Sequence, residues 1–293
     1  MSIESVFIAG CGLMGAGIAQ SCAQSGLTVQ AHDVSTEALG RARSSIAWSV
    51  GKLVDKGKLD GPAEAILERI TLTDEPAGVE RADLVVEAVF EDRALKTQLL
   101  EQLDGLAAPG ALLASNTSAI PITDLAAVTS RPGQVLGLHF FSPVPMMQVV
   151  EVVRGVATTD ATVAAARELV RRLGKQPITV NRDVPGFLIN RINLPTNLEA
   201  MRMVEQGVGT VADVDRGLRL ATGRKMGPFE TGDMVGLDVT HGALLAMYEE
   251  TRDPRWYPPM ILRRKVRAGH LGRKAGRGWY RYDADGNRLD EDG

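Results

Sequence analysis

Apolar positions in the first 180 residues recur in two rhythms. Short β-branched runs alternate with longer stretches in which apolar residues return every three or four positions. The short runs predict strands over residues 3–9, 27–32, 83–89, 111–115, 135–141, 148–153 and 177–180, with helices filling the gaps. The longest helical pattern runs from about residue 36 to 59 and is closed by Gly61-Pro62. Such alternation is the signature of a mostly parallel α/β sheet.

After Asp183-Val184-Pro185-Gly186 the rhythm changes. Residues 187–206, 211–222, 237–250 and 260–268 read as helices, and strand signals nearly vanish. Pro185 and Gly186 punctuate a boundary at about residue 184. The expected organisation is a sheet domain over residues 1–184 and a smaller, all-helical domain over 185–293.

Composition narrows the functional classes. A chain of 293 residues suits one large domain or two moderate ones, and 44% apolar with 24% charged residues is ordinary for a water-soluble protein. A net charge of −3 gives no general attraction to nucleic acid or to an anionic membrane. No apolar run approaches the roughly 20 residues needed to span a bilayer, and Glu4 interrupts the opening stretch, so no secretory start is read. Cys11 and Cys22 have no further Cys or His at zinc spacing, so no metal is expected and a reduced, cytoplasmic location follows. Seven basic residues between Arg263 and Arg277 lack aromatic interleaving and read as a solvated or subunit-facing surface.

Gly10-Cys11-Gly12-Leu13-Met14-Gly15 is a G-x-G-x-x-G between a predicted strand and a predicted helix. The three glycines allow, in turn, a tight turn, close approach of backbone to a pyrophosphate, and close packing of helix on strand. Asp33 ends the second strand 23 residues after Gly10, near the roughly 20 expected for an acid that meets a ribose. A carboxylate there repels a 2′-phosphate, and Val34 and Ser35 offer no arginine to receive one. NAD is therefore expected rather than NADP, on a dinucleotide-binding domain of Rossmann type.

His139 stands near the end of a strand, in Leu138-His139-Phe140-Phe141-Ser142-Pro143-Val144-Pro145. Twelve residues later Glu151 interrupts the apolar run Val149-Val150-Glu151-Val152-Val153. A carboxylate in so apolar a strand is costly unless paired. If the loop through Pro143 and Pro145 returns the chain beside its own start, His139 becomes the partner. The pair is a general base: Glu151 holds the ring and the other ring nitrogen takes a hydroxyl proton. Ser115-Asn116-Thr117-Ser118 follows another strand end, placed either to meet nicotinamide and substrate oxygen or to cap the next helix.

Together these segments resemble the L-3-hydroxyacyl-CoA dehydrogenases, including the short-chain 3-hydroxybutyryl-CoA enzymes, over nearly the whole chain. The resemblance extends to Glu87-Ala88-Val89-Phe90-Glu91, Pro185-Gly186-Phe187 with Asn190-Arg191, Met226-Gly227-Pro228-Phe229-Glu230, Val235-Gly236-Leu237-Asp238 and Gly272-Arg273-Lys274-Ala275-Gly276-Arg277-Gly278-Trp279-Tyr280. It implies oxidation of a hydroxyacyl-CoA with NAD, His139 as base and Glu151 as its partner. It further implies that Ser118 and Asn190 hold the substrate 3-oxygen, and that Glu91, Lys96 and Asn116 contact the nicotinamide half of the cofactor. Lys52 and Lys56 match positions that meet the phosphates of coenzyme A, although on spacing alone they are a solvated helix face. A homodimer through the helical domain is implied too. Ser142 and Asp92 depart from the family pattern, where Asn is common.

Two rival readings keep the same chemistry or lose it. In one, the hydroxyacyl group is carried by a carrier protein, or the substrate is a free hydroxy or sugar acid. In the other, the chain is a NAD-binding structural protein without catalysis, against which the joint presence of His139, Glu151, Ser118 and Asn190 speaks.

Overall fold

The computed structural model describes residues 2–289. The chain divides into two compact units after Phe187.

The first unit is built on an eight-stranded sheet. Its strands are β1 (Ser5–Ala9), β2 (Thr28–His32), β3 (Ile70–Thr73), β4 (Leu84–Glu87), β5 (Leu112–Ser115), β6 (Val135–Phe140), β7 (Val149–Arg154) and β8 (Gln176–Val180). The spatial order is β3-β2-β1-β4-β5-β6-β7-β8. Every neighbouring pair is parallel except β6 and β7, which run antiparallel. The order reverses between β1 and β4, so the crevice beyond their carboxyl ends is the topological switch point where ligands of open α/β sheets bind. β4, β5 and β6 are buried along their whole length, as expected of strands covered by helices on both faces.

The helices of this unit are α1 (Leu13–Gln24), α2 (Thr36–Asp55), α3 (Ala63–Leu67), α4 (Arg93–Leu106), α5 (Ile122–Ala126) and α6 (Asp160–Arg172). Helix α2 buries Ala38, Ala42, Ile46 and Val50 at a spacing of four, and Ser35 caps its first turn by accepting from the Ala38 amide. It stops at Asp55, short of the expected residue 59. Gly57 adopts φ +62, and its amide and that of Lys58 close back on Val54 and Leu53. Asp92 caps α4 by accepting from the Leu95 amide, and Asp serves there as well as Asn would.

The second unit contains α7 (Ile189–Glu205), α8 (Val211–Thr222), α9 (Pro228–Val235), α10 (Leu237–Thr251) and α11 (Met260–Arg267). It also holds a short antiparallel ribbon of β9 (Arg281–Tyr282) and β10 (Arg288–Leu289), so it is helical with one small ribbon. Two buried aspartates organise it. Asp215, on α8, accepts from the Phe229 and Glu230 amides at the start of α9, replacing the side-chain cap that Gly227 cannot supply. Asp233 accepts from the Trp279 and Tyr280 amides and from the Tyr282 hydroxyl, fastening the C-terminal segment. Burial pushes both carboxyls above the usual range, partly offset by these hydrogen bonds. Lys265, within the basic stretch, is half-buried over the Trp279 ring and donates to the Gly278 carbonyl rather than facing solvent freely. Among the described residues no helix is long and apolar enough to cross a membrane.

Candidate active site

The glycine fingerprint sits at the switch point. Gly10, with φ +103, packs so tightly that a Cβ would lie 2.7 Å from the Ala88 carbonyl oxygen. A Cβ on Gly15 would lie 1.8 Å from the Gly10 oxygen, which fixes helix α1 against the turn. Around Gly12 there is open space: nothing stands within 4 Å of where its Cβ would be. No side chain caps α1, and no acid lies in its first turn. Exposed helix N–H groups beside an open backbone suit a pyrophosphate. Asp33 closes β2 nearby, its two oxygens accepting from the Cys11 and Ser35 amides at 2.8 and 2.9 Å. Each carboxylate oxygen has a second lone pair for a ribose hydroxyl. Cys11 in the fingerprint is buried and its thiol pushed up to about 12, by burial and then by the Asp33 charge, so it stays neutral. The donor set therefore fits a NAD-type dinucleotide.

Two large apolar side chains lie bare at the carboxyl ends of adjacent strands: Leu13 is 74% and Phe90 86% exposed. Exposed apolar groups flanking a polar cradle are what a bound ligand covers.

His139 and Glu151 lie directly opposite one another in the antiparallel β6–β7 pair. The loop does return the chain beside its own start. His139 Nδ1 is 2.6 Å from Glu151 Oε2, with Glu151 fully buried and His139 nearly so. A carboxylate accepts, so the proton of this bond belongs on Nδ1 and Nε2 keeps its lone pair. The imidazole also packs against Phe141, centroids 4.5 Å apart, and edge-on to Phe187 at 5.6 Å.

A second buried network lies at the ends of β4 and β5. Glu87 Oε1 accepts from Lys96 Nζ at 2.6 Å and from the Val89 amide at 2.7 Å, and Oε2 accepts from Ser115 Oγ at 2.6 Å. Lys96, only 1% exposed, also donates to the Val89 carbonyl and pairs with Glu91 Oε2 at 3.3 Å. Glu91 Oε1 in turn accepts from the Thr117 hydroxyl and from the Ser118 and Ala119 amides. Lys96 is thus enclosed by protein acceptors, and its charge reaches the site through Glu91. Asn116 Oδ1 accepts from the Phe140 amide, joining the ends of β5 and β6. Thr117 Oγ1 serves the Ala119 and Ile120 amides, ahead of α5 and not within its first turn. In α5 it is Asp183 Oδ2 that accepts, from Thr123 N, at 2.6 Å.

The first unit thus brings together His139, Glu151, Ser118, Asn116, Glu91 and Lys96 about the sheet's carboxyl end. Lys52 lies in the last turn of α2 and Lys56 is its C-cap residue, both exposed. Asn190 lies in the first turn of α7, in the second unit.

Three buried contributors escape the sequence reading. Glu87 ends an apolar run as Glu151 interrupts one, and that shared signal could have marked it. Lys175, placed just before β8, is buried and donates to the Val144 and Met147 carbonyls at 2.7 Å each, holding the loop between His139 and Glu151. Burial lowers its pKa. Nothing in the spacing of Lys175 announces this role. Phe187, expected as the first residue of a helix, lies instead outside α7 with φ +49, two residues before it begins.

Comparison with known proteins bears on the whole chain. Residues 5–184 match the family model for the 3-hydroxyacyl-CoA dehydrogenase NAD binding domain, and residues 186–282 match that family's C-terminal domain. The chain is 43% identical to a probable 3-hydroxybutyryl-CoA dehydrogenase of Deinococcus radiodurans, covering 94% of this chain and 99% of the relative. The crystal structure of Mycobacterium tuberculosis FadB2 superposes with a TM-score of 0.92 at 40% identity, over 97% of this chain and 100% of that one. That of (S)-3-hydroxybutyryl-CoA dehydrogenase from Ralstonia eutropha gives 0.87 at 42% identity, over 96% and 100%. With an NAD-binding domain followed by the family's C-terminal domain, the chain belongs to the 3-hydroxyacyl-CoA dehydrogenase family.

Proposed function

We propose that this chain oxidises the 3-hydroxyl of a (3S)-3-hydroxyacyl-CoA to the 3-oxo thioester, reversibly, with His139 as general base. The observation that carries the reading is the buried His139–Glu151 pair at 2.6 Å, at the carboxyl end of a sheet that also bears the dinucleotide cradle. Bound NAD would supply the acceptor for the hydride that leaves C3. Gly10, Gly12, Leu13, Met14, Gly15 and Asp33 would hold its pyrophosphate and adenosine ribose, and Glu91 and Asn116 its nicotinamide half, with Lys96 acting on that half through Glu91.

The chain's own groups handle the proton. His139 Nε2 accepts it from the substrate hydroxyl as the C3–H bond breaks, and Glu151 stabilises the imidazolium that results. Ser118 and Asn190 hold the substrate oxygen, and in the reverse direction His139 returns the proton. Lys52 and Lys56 meet the phosphates of coenzyme A. The helical domain, residues 185–293, closes the substrate pocket and pairs two copies, and the enzyme works in the cytoplasm.

The test is a screen following NADH formation with 3-hydroxyacyl-CoA esters, the matching carrier-protein thioesters and the free acids. Fastest turnover with a CoA ester is the expected result. Preference for a carrier-protein thioester or free acid would move the substrate assignment, and no turnover with any would refute the reading.

A further inference from the structure

Among the described residues only two other than glycine have positive φ, Phe187 and Arg252. Arg252 caps the C-terminus of α10, where a left-handed residue is ordinary. Phe187 has no such reason. A bulky side chain in that backbone region is disfavoured, and it persists only where the surroundings over-determine it.

The surroundings are specific. Asp183 Oδ2 accepts from the Thr123 amide at 2.6 Å, the Gly186 amide donates to the Ser118 carbonyl at 3.2 Å, and the Phe187 amide closes back on the Val184 carbonyl at 2.8 Å. Pro185 stiffens the segment between these ties. The outcome is a fully buried Phe187 ring packed at 63° against the His139 imidazole. A hydrogen bond from Nδ1 to Glu151 fixes one corner of that imidazole, but it leaves the opposite nitrogen free to swing. Rings packed on it remove the swing, and a reacting atom misplaced by 1 Å costs about 100-fold in rate. The same segment ties to His139 through the Phe187 ring and to Ser118 through the Gly186 amide.

We propose that Phe187 is a positioning residue: its strained backbone drives its ring against His139 so that Nε2 is held toward the substrate oxygen, in register with Ser118. This rests on His139 being the base. Phe187 touches neither substrate nor cofactor in this role, and acts through the imidazole.

The experiment compares Phe187→Leu, which keeps bulk without a ring, with Phe187→Tyr, which keeps the ring. Phe187→Met is the alternative if Leu does not fold. The loss of the ring should lower kcat about 10- to 100-fold with little change in either KM. It should also raise the primary deuterium isotope effect of a C3-deuterated substrate, because chemistry becomes slower than product release. Phe187→Tyr should restore most of the rate. A merely structural role would lower kcat only with the folded fraction and leave the isotope effect unchanged, and that result overturns the proposal. NMR relaxation of the His139 ring in histidine-labelled protein reads the same point without turnover, and should show greater ring motion in Phe187→Leu but not in Phe187→Tyr. Unchanged ring motion overturns the positioning role even in an active enzyme. Wild-type protein that fails to turn over any thioester, yet shows this ring motion on substitution, strikes the base assignment alone.

Discussion

His139 and Glu151 face one another across the sole antiparallel junction of the eight-stranded sheet. That reversal is what lets an acid twelve residues away in sequence sit 2.6 Å from the imidazole. A parallel crossover of a dozen or more residues could not have returned so soon. Replacing His139 with Ala should lower kcat by about 10² to 10⁴, the usual worth of a positioned acid–base group. Affinity for NAD, measured by NADH fluorescence titration, should hardly change. Glu151→Gln keeps the shape but removes the charge, and should also be slow.

Asp33 should set cofactor choice. It accepts from two backbone amides and presents its remaining lone pairs beside an exposed Val34, with no basic residue next to it in the sequence to receive a 2′-phosphate. NAD should exceed NADP in kcat/KM, and Asp33→Ala should narrow the gap chiefly by harming NAD. A wild-type preference for NADP would contradict this account of the second strand.

Lys52 and Lys56 lie four residues apart at the end of α2, and two ammonium groups so placed repel mildly unless an anion lies near. Contacts remote from the reacting carbon bind ground and transition states about equally. Replacing both with Ala should raise KM for a hydroxyacyl-CoA and leave kcat nearly intact. The effect should shrink with salt, since exposed charges are screened over roughly 8 Å at physiological ionic strength. Trp48, one turn before Lys52, is 68% exposed while Trp256 and Trp279 are buried, so a change in tryptophan emission on adding coenzyme A is the expected sign of binding at this helix end. A KM indifferent to both substitutions would reduce these lysines to a solvated face.

The first unit should show one acid-sensitive lock. Asp104 accepts from the Ser130 amide and from Arg131 Nε, both at 2.6 Å. Burial alone would raise its pKa, but these hydrogen bonds and the Arg131 charge outweigh it and hold it below the usual carboxylate range. A depressed folded pKa means that the stabilisation is present above the unfolded value, near pH 4, and is lost as pH falls through the folded one. Asp104→Ala leaves the part-buried Arg131 with only backbone carbonyl acceptors and should cost about 1–3 kcal/mol at neutral pH. Denaturant unfolding at a series of pH values should show the difference shrinking below about pH 4. A pH-independent difference would mean the loss is packing alone.

Seven of the eight sheet strands are legible in the sequence because each carries a β-branched, largely apolar run that stands out from its surroundings, most clearly in β4, β5 and β6, which are buried throughout. β3 is not. Ile70-Thr71-Leu72-Thr73 is a half-exposed edge strand with two apolar residues, too short to establish a period. β9 and β10, of two residues each, carry less signal still. α9 is hidden because its cap comes from Asp215, in another helix. At the site, the His139–Glu151 pairing could be read because a charge in an apolar strand demands a partner. Lys175 and Phe187 could not. The partners of Lys175 are backbone carbonyls, which leave no mark in a sequence, and the conformation of Phe187 is imposed by ties to residues far along the chain.

The most direct measurement of the central claim is the pre-steady-state formation of NADH from (3S)-3-hydroxybutyryl-CoA by wild-type and His139→Ala enzymes, each saturated with NAD and substrate. Wild-type protein should form NADH rapidly, and His139→Ala should bind both ligands yet form NADH about 10² to 10⁴ times more slowly. Equal rates from the two proteins, or no NADH from wild-type enzyme with its ligands bound, would contradict the account.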